Sequence, residues 1–183
     1  MIFGVADYLV SPYRPLTGAL AKHDVIRDMC VLHPERFLAS PRSGDPALTV
    51  ARWLAHPDNA AWEVWRDGTC LGILCLDRIV ASVDARLQFV FFDDELASKV
   101  PLLQAFIARC YAEFGLARLT FEVPEHMSNL IGFARRKLGF RYEGETQAPA
   151  AVARRGSRRD RAYWDGSRWH DIMVLRRFAE DTT

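Results

Sequence analysis

Long apolar runs are missing from this sequence. None approaches the roughly 20 consecutive residues that cross a bilayer, so we expect no membrane partner. The first residues, Met-Ile-Phe-Gly, carry neither a basic region nor a long apolar stretch, so we expect no signal peptide and a cytoplasmic protein. The four cysteines form no C-x-x-C pair, which predicts free thiols, and we expect no metal site.

Lysine is scarce as well, with 3 lysines against 21 arginines. Five arginines lie close together in a polar segment at 148–166 that we predict to be a mobile insertion: Arg154, Arg155, Arg158, Arg159 and Arg161. An arginine-rich loop at 154–161 would suit an acidic acceptor or nucleic acid. A solvated loop is the alternative interpretation.

The first half of the chain alternates between strand and helix patterns. The length of 183 residues and the 50% hydrophobic content predict one globular domain. We predict a strand at Ile2–Val10 and helices at Leu16–Val31 and from Asp45 onward. Three strands follow, the first two joined by the hairpin turn Asp67-Gly68: Trp62–Trp65, Leu71–Ile79 and Arg86–Phe92.

The second half continues with two amphipathic helices. Helical spacing of apolar residues predicts a helix at Val100–Phe114, and Ser128 can cap a second helix that ends at Leu138. Gly115 and Gly139 are expected to terminate these helices. The remaining segments predict strands at Leu119–Val123, Phe140–Thr146 and Trp169–Arg176.

Two short motifs narrow this pattern to one family. Residues 137–144 read K-L-G-F-R-Y-E-G, and Gly166, Trp169 and Asp171 supply a following G-x-x-W-x-D phrase. With the order of elements, these phrases resemble the GNAT superfamily of N-acyltransferases, in the branch of the ribosomal-protein N-terminal acetyltransferases. The resemblance implies one α+β domain over residues 1–183, with a mixed, mostly antiparallel sheet between helices on both faces. It also implies that a homodimer is possible.

The resemblance further implies acetyl-CoA as acyl donor, lying where the sheet splays between the predicted strands Arg86–Phe92 and Leu119–Val123. The pantetheine arm would pair with the backbone of Phe89, Val90 and Phe91. The pyrophosphate would rest on amides at a helix start formed by Ala97, Ser98 and Lys99.

The predicted phosphate loop departs from the family pattern because it contains no glycine. Asp93, Asp94 and Glu95 put three carboxylates beside the expected diphosphate. Even exposed like charges at about 4 Å repel by about 1 kcal/mol, so an ordinary acid-capped helix is an equal alternative.

Residues of the last predicted helix complete the implied cofactor site. Asn129 stands where the family often hydrogen-bonds the cofactor arm, although helix capping would also explain it. Arg135, Arg136 or Lys137 could reach the nucleotide phosphates, or the three could form a solvated basic face.

Acetyl transfer to an amine needs a base for the ammonium and an acid for the leaving thiolate. Glu122, near the end of its strand, is our first choice of base. Arg135 stands where the family frequently has its acid tyrosine, so the acid role is missing unless Tyr142 or Tyr111 reaches in from elsewhere. Sheet packing is the alternative role of Tyr142.

The resulting hypothesis is an N-acetyltransferase acting on a primary amine of a small molecule or a protein. The alternatives are a GNAT-fold binding module that has lost acyl-CoA, and a nucleic-acid-associated protein that uses the arginine-rich loop.

Overall fold

We analysed a computed structural model of the chain. It describes residues 1–14, 26, 28, 53, 56–93, 95–143, 156–164 and 169–182, with the backbone alone for 161–164, 169 and 181–182. The predicted helices at Leu16–Val31 and from Asp45 lie outside the described residues, except that Ile26, Asp28 and Trp53 are helical.

The described strands form one nine-stranded sheet in the order β1-β2-β3-β4-β5-β6-β9-β7, and β8 also pairs with β9. In chain order they are β1 (Phe3–Val5), β2 (Tyr8–Pro12), β3 (Ala60–Arg66), β4 (Thr69–Val80), β5 (Asp84–Phe91), β6 (Arg118–Pro124), β7 (Arg141–Tyr142), β8 (Arg158–Trp164) and β9 (Trp169–Phe178). Two α-helices have described bounds, α1 (Val100–Phe114) and α2 (Ser128–Leu138). Every described pair of strands is antiparallel except β5–β6.

Apolar residues on both faces of the sheet make this a three-layer fold. Leu74 lies in the larger core, to which α1 and α2 contribute Phe106 and Ile131. The neighbouring Ile73 lies in a second core with the helical Ile26. Because successive residues of a strand point to opposite faces, the two cores lie on opposite sides of the sheet. We call these the α1–α2 face and the Ile26 face.

Left-handed glycines end both helices as the sequence predicts. Gly115 and Gly139 have φ of 62° and 72°. The Phe140 amide donates to the Ala134 carbonyl at 3.1 Å and so belongs to the helix end. Strand β7 therefore begins at Arg141, one residue later than predicted; residues 144–146 lie outside the described part. The prediction that Ser128 caps α2 is wrong, because Met127 occupies the N-cap without a side-chain cap bond.

The turn at Asp67-Gly68 is confirmed, since both residues have positive φ, of 49° and 76°, as a type I′ hairpin requires. The single strand predicted at Ile2–Val10 is wrong, because β1 and β2 form a hairpin across Ala6 and Asp7. Ala6 has φ of 51°, and no glycine announces that turn.

The segment predicted as an insertion at 148–166 contributes β8 over its described part, which pairs with β9. The sequence pattern does not indicate this strand, because β8 is rich in arginine and lacks the apolar alternation of the other strands. Its β-structure depends on the cross-strand neighbours that β9 supplies.

No described helix has the length and apolar character needed to cross a membrane. Cys70, Cys75 and Cys110 carry free thiols, as expected. Burial raises the pKa of the Cys110 thiol, and Glu113 adds to this, so Cys110 is a core residue and not a nucleophile.

Candidate active site

The sheet opens between β5 and β6. Their parallel ladder comprises three pairs, which begin at Asp84 with Arg118 and end at Arg86 with Thr120. Further along, β5 continues to Phe91 against β4, and β6 continues to Pro124 against β9. The two strands therefore part after Arg86, where the resemblance predicts the splay.

An aromatic contact bridges the opening on the α1–α2 face. Phe89 of β5 stacks on Phe121 of β6, with ring centroids 5.2 Å apart and an interplanar angle of 18°. Phe121 also contacts Phe140 at 5.7 Å, which connects the bridge to the segment between the end of α2 and β7. Phe89 was predicted for its backbone, and its side chain forms an apolar wall of the opening.

An ionic contact bridges the same strands on the Ile26 face. Arg86 of β5 donates through Nη1 to Oε2 of Glu122 on β6, at 2.5 Å. Arg86 also makes a two-point contact with Asp77 of β4, through Nε to Oδ1 at 2.7 Å and through Nη2 to Oδ2. Side chains thus connect β4, β5 and β6 where the β5–β6 ladder ends.

Asp77 is a buried carboxylate with a full set of donors. Its side chain is 2% exposed. Gln88 Nε2 and Trp53 Nε1 donate to Oδ2 at 2.8 and 3.1 Å, in addition to the bonds from Arg86. Burial alone would lower the pKa of Arg86, but hydrogen bonds and charges from Asp77 and Glu122 outweigh it and raise that pKa. Arg86 is therefore a permanent cation.

The second oxygen of Glu122 faces a different arginine. Oε1 lies 3.7 Å from Nη1 of Arg78, too far for a hydrogen bond. The side chain of Arg78 is 68% exposed, whereas that of Glu122 is 21% exposed. Arg78 sits at a register shift in β4 with φ of 50°, a strained conformation for a residue other than glycine.

The candidate base and the candidate acid lie on opposite faces of the sheet. Tyr142 pairs with Leu175, which pairs with Phe121 on the α1–α2 face. Glu122 is the next residue along β6 and points to the Ile26 face. Tyr142 is 9% exposed, and the guanidinium of Arg135 lies 4.3 Å from the centre of its ring. The structure thus brings Arg135 and Tyr142 together and separates both from Glu122.

The predicted phosphate loop is a 3-10 turn at Leu96–Lys99, directly before α1. Lys99 is 0% exposed and points inward, where Nζ contacts the Asp93 carboxylate and the Glu95 carbonyl, the latter at 3.0 Å. It also lies 5.1 Å from the centre of the Phe91 ring. The Lys99 ammonium, which we expected to contact the pyrophosphate, is therefore paired inside the protein.

This inward pair also changes the charge of the turn. Lys99 neutralises Asp93, one of the carboxylates that would oppose a diphosphate, and Asp94 lies outside the described residues. Ala97 and Ser98 are exposed, and Asn129 is exposed in the first turn of α2. Val90 belongs to the core on the Ile26 face. The residues present fit an acyl-CoA arm through backbone groups and small side chains, but not through a basic phosphate clamp.

A histidine pair, which the sequence does not predict, lies at the carboxyl end of β6. The rings of His126 and His170 are 4.4 Å apart between centroids. The β6–β9 register brings them together, since Pro124 pairs with Ile172. Within the described residues, no group of three His, Cys, Asp or Glu side chains is arranged to hold a metal ion.

The arginines with described side chains in β8 are paired within the protein. Arg158 contacts Asp171, and its Nε lies 3.5 Å from Glu125 and 3.2 Å from Asp160. The hydrogen bond and charge of Asp171 raise the pKa of Arg158. Arg159 Nη2 lies 2.6 Å from Glu143 Oε2. These pairings do not favour a role in nucleic-acid binding.

Solved acetyltransferases share this architecture. A probable acetyltransferase of the GNAT family from Chromobacterium violaceum matches over 98% of this chain and 92% of its own, with 17% identity and a TM-score of 0.70. RimL, a ribosomal L7/L12 α-N-protein acetyltransferase in complex with coenzyme A, matches over 99% of both chains, with 13% identity and a TM-score of 0.71. The ribosomal-protein-S5-alanine acetyltransferase from Vibrio fischeri covers 100% of this chain and 99% of its own, with 12% identity and a TM-score of 0.66.

No protein-family model matches the sequence, and no curated protein matches it either. The similarity to solved structures therefore establishes architecture rather than substrate. The chain has the fold of the GNAT acetyltransferases, as its motifs predict.

Proposed function

We propose that this protein is an N-acetyltransferase that moves an acetyl group from acetyl-CoA to a primary amine. The observation that carries the proposal is the opening between β5 and β6 after Arg86, in a fold that RimL shares. RimL was solved with coenzyme A, and an opening of this kind offers an extended ligand a strand edge to pair with.

The chain offers its own groups for each part of the donor. The backbone of β5 at Phe89, Val90 and Phe91 would hold the pantetheine arm. The amides at Ala97 and Ser98 would hold the pyrophosphate, with the helix dipole of α1 in support. Asn129 and Arg135 on α2 are the side chains proposed to contact the arm and the nucleotide phosphates.

Glu122 is the proposed base. It would take a proton from the acceptor ammonium, directly or through a water. The amine nitrogen then bonds to the acetyl carbonyl carbon, the carbon–sulfur bond breaks, and the thiolate takes up a proton, leaving an N-acetyl amide and CoA. Tyr142 is separated from β6 by β9, and its place under Arg135 favours packing over acid catalysis.

The first prediction concerns donor binding. Acetyl-CoA at about 100 times its Kd should stabilise the protein by about 2.7 kcal/mol, which raises the Tm of a chain this long by about 5–10 °C. A thermal-shift titration with acetyl-CoA measures this directly. No shift at millimolar acetyl-CoA would contradict the proposal.

A matched pair of variants on exposed alanines locates the site. Ala97→Glu adds a carboxylate at the proposed phosphate turn and should abolish most of the shift. Ala112→Glu adds the same charge near the far end of α1 and should leave the shift intact. Acetyl transfer to a peptide with a free N-terminal amine, followed by mass spectrometry, then separates an enzyme from a module that only binds acetyl-CoA.

A further inference from the structure

We propose that Arg86 is a positioning residue, which holds Glu122 in its working orientation from a buried anchor at Asp77. The inference rests on the proposed function, since it assigns the support of the proposed base. It concerns three side chains on three adjacent strands, β4, β5 and β6.

The anchor at Asp77 is rigid because every bond it needs is made inside the protein. Both of its oxygens accept bonds from Arg86, and Oδ2 also accepts from Gln88 and Trp53. A two-point contact between a guanidinium and a carboxylate fixes the plane of the guanidinium. With that plane fixed, each of the two N–H bonds of the remaining nitrogen, Nη1, has a fixed direction, and one of these directions leads to β6.

Glu122 lies in that direction. Its Oε2 accepts from Nη1 of Arg86 at 2.5 Å, which fixes the rotamer of the carboxylate. Glu122 is two residues beyond Thr120, the last β6 residue in the ladder with β5. Arg86 therefore contacts Glu122 beyond the last backbone pair between β5 and β6.

This arrangement leaves Oε1 as the oxygen that works. Among the described residues, the ion pair of Oε1 is with the exposed Arg78 at 3.7 Å, a distance from which an ammonium or a water can displace the arginine. Arg78 approaches this oxygen from a strained backbone position at the β4 register shift. Oε2 is thus held by the interior, and Oε1 is the oxygen we assign to the acceptor, on a side chain that is 21% exposed.

A double-mutant cycle on kcat tests the assignment, with acetyl-CoA and a peptide bearing a free N-terminal amine. We expect Glu122→Gln to lower kcat by about 100-fold or more and Arg86→Gln by about 10- to 100-fold, since a displaced base loses alignment. In the Glu122→Gln background, Arg86→Gln should change kcat by less than about 2-fold, because there is no base left to position. The KM for acetyl-CoA should stay constant throughout.

Two further variants keep the test decisive. Arg86→Lys retains the charge and the fold but not the two-point contact, so its kcat should lie between those of wild type and Arg86→Gln. Arg118→Gln is the matched control, because it removes an ion pair of 3.0 Å with Asp84 between the same two strands, in the paired part of the ladder. Its kcat should remain within about 2-fold of wild type, because this pair is partly buried in the ladder and contacts neither Arg86 nor Glu122 through a bond of its own.

The outcomes separate the two proposals. Equal losses from Arg86→Gln with and without Glu122, or a normal kcat for Arg86→Gln, would overturn the positioning role while donor binding stands. A missing thermal shift with acetyl-CoA in the wild-type protein would remove the proposed function and this inference together.

Discussion

Replacing Asp77 by alanine is expected to lower the free energy of unfolding by about 3–5 kcal/mol, the usual cost of removing one partner from a buried ion pair, because Arg86 would keep only its bond to Glu122. Arg86 would keep its charge inside the sheet, because its side chain is only 14% exposed. Gln88 and Trp53 would lose an acceptor in the same step. Urea denaturation at constant pH measures the loss.

Two comparisons identify the reason for that loss. Asp84→Ala removes a carboxylate that is 23% exposed, paired with Arg118 and bonded by Thr120, so it should cost about 1–2 kcal/mol, less than Asp77→Ala. The double variant Asp77→Leu with Arg86→Met removes both charges and should recover much of the stability lost in Asp77→Ala. A cost below about 1 kcal/mol for Asp77→Ala would show that Arg86 finds solvent instead of remaining buried.

The second large effect is expected at Gly72 of β4, where β5 leaves no room for a side chain. A Cβ at this position would lie 2.2 Å from the carbonyl oxygen of Val90 and 2.9 Å from Cα of Phe91. Both contacts are with backbone, which cannot rotate away. We expect Gly72→Ala to destabilise the protein by about 3 kcal/mol, because β5 must shift to admit one methyl group.

The same shift should weaken donor binding, since Val90 and Phe91 belong to the segment proposed to hold the pantetheine arm. Thermal-shift titration of Gly72→Ala with acetyl-CoA would report a smaller increase in Tm than the wild-type protein gives. Gly4→Ala is the control, because its Cβ would meet only the Tyr8 carbonyl at an ordinary 3.6 Å. Equal stability of the two variants would contradict the packing argument.

The sequence predicts those parts of the fold that local chemistry determines. Apolar spacing gives the bounds of α1, and the left-handed glycines Gly115 and Gly139 end both described helices. Asp67-Gly68 fixes the hairpin between β3 and β4. By contrast, the hairpin at Ala6 and the arginine-rich strand β8 depend on pairing partners that lie elsewhere in the chain.

The candidate site depends on register, and local patterns do not reveal it. Glu122 is identifiable as a polar residue near a strand end, but its partners Asp77 and Arg86 are known only once β4, β5 and β6 are aligned. The sequence does contain one signal for this contact. Asp77 directly follows the apolar run Leu71–Leu76, and a carboxylate buried in such a strand needs a cation. For Lys99 the sequence contains no such signal, because nothing about a lysine at the start of a helix indicates that its side chain is buried.

The E-G motif also has a physical role in the structure. Glu143 accepts from Arg176 on β9 at 2.5 Å and from Arg159 on β8 at 2.6 Å. Its carbonyl accepts from the hydroxyl of Ser157. The motif that identified the fold therefore joins β7, β8 and β9, and it contributes no reacting group.

Strand β9 has a consequence for how the chain reaches its folded state. It pairs with β6 along one edge and with β7 and β8 along the other. These three strands therefore cannot complete their pairing until residues 169–178 are in place. During synthesis these residues emerge after the strands they join, and β6 has no antiparallel neighbour until then. One wall of the opening between β5 and β6, the proposed acyl-donor site, is thus completed late and by distant contacts, which slow folding and leave a bare strand edge in the nascent chain.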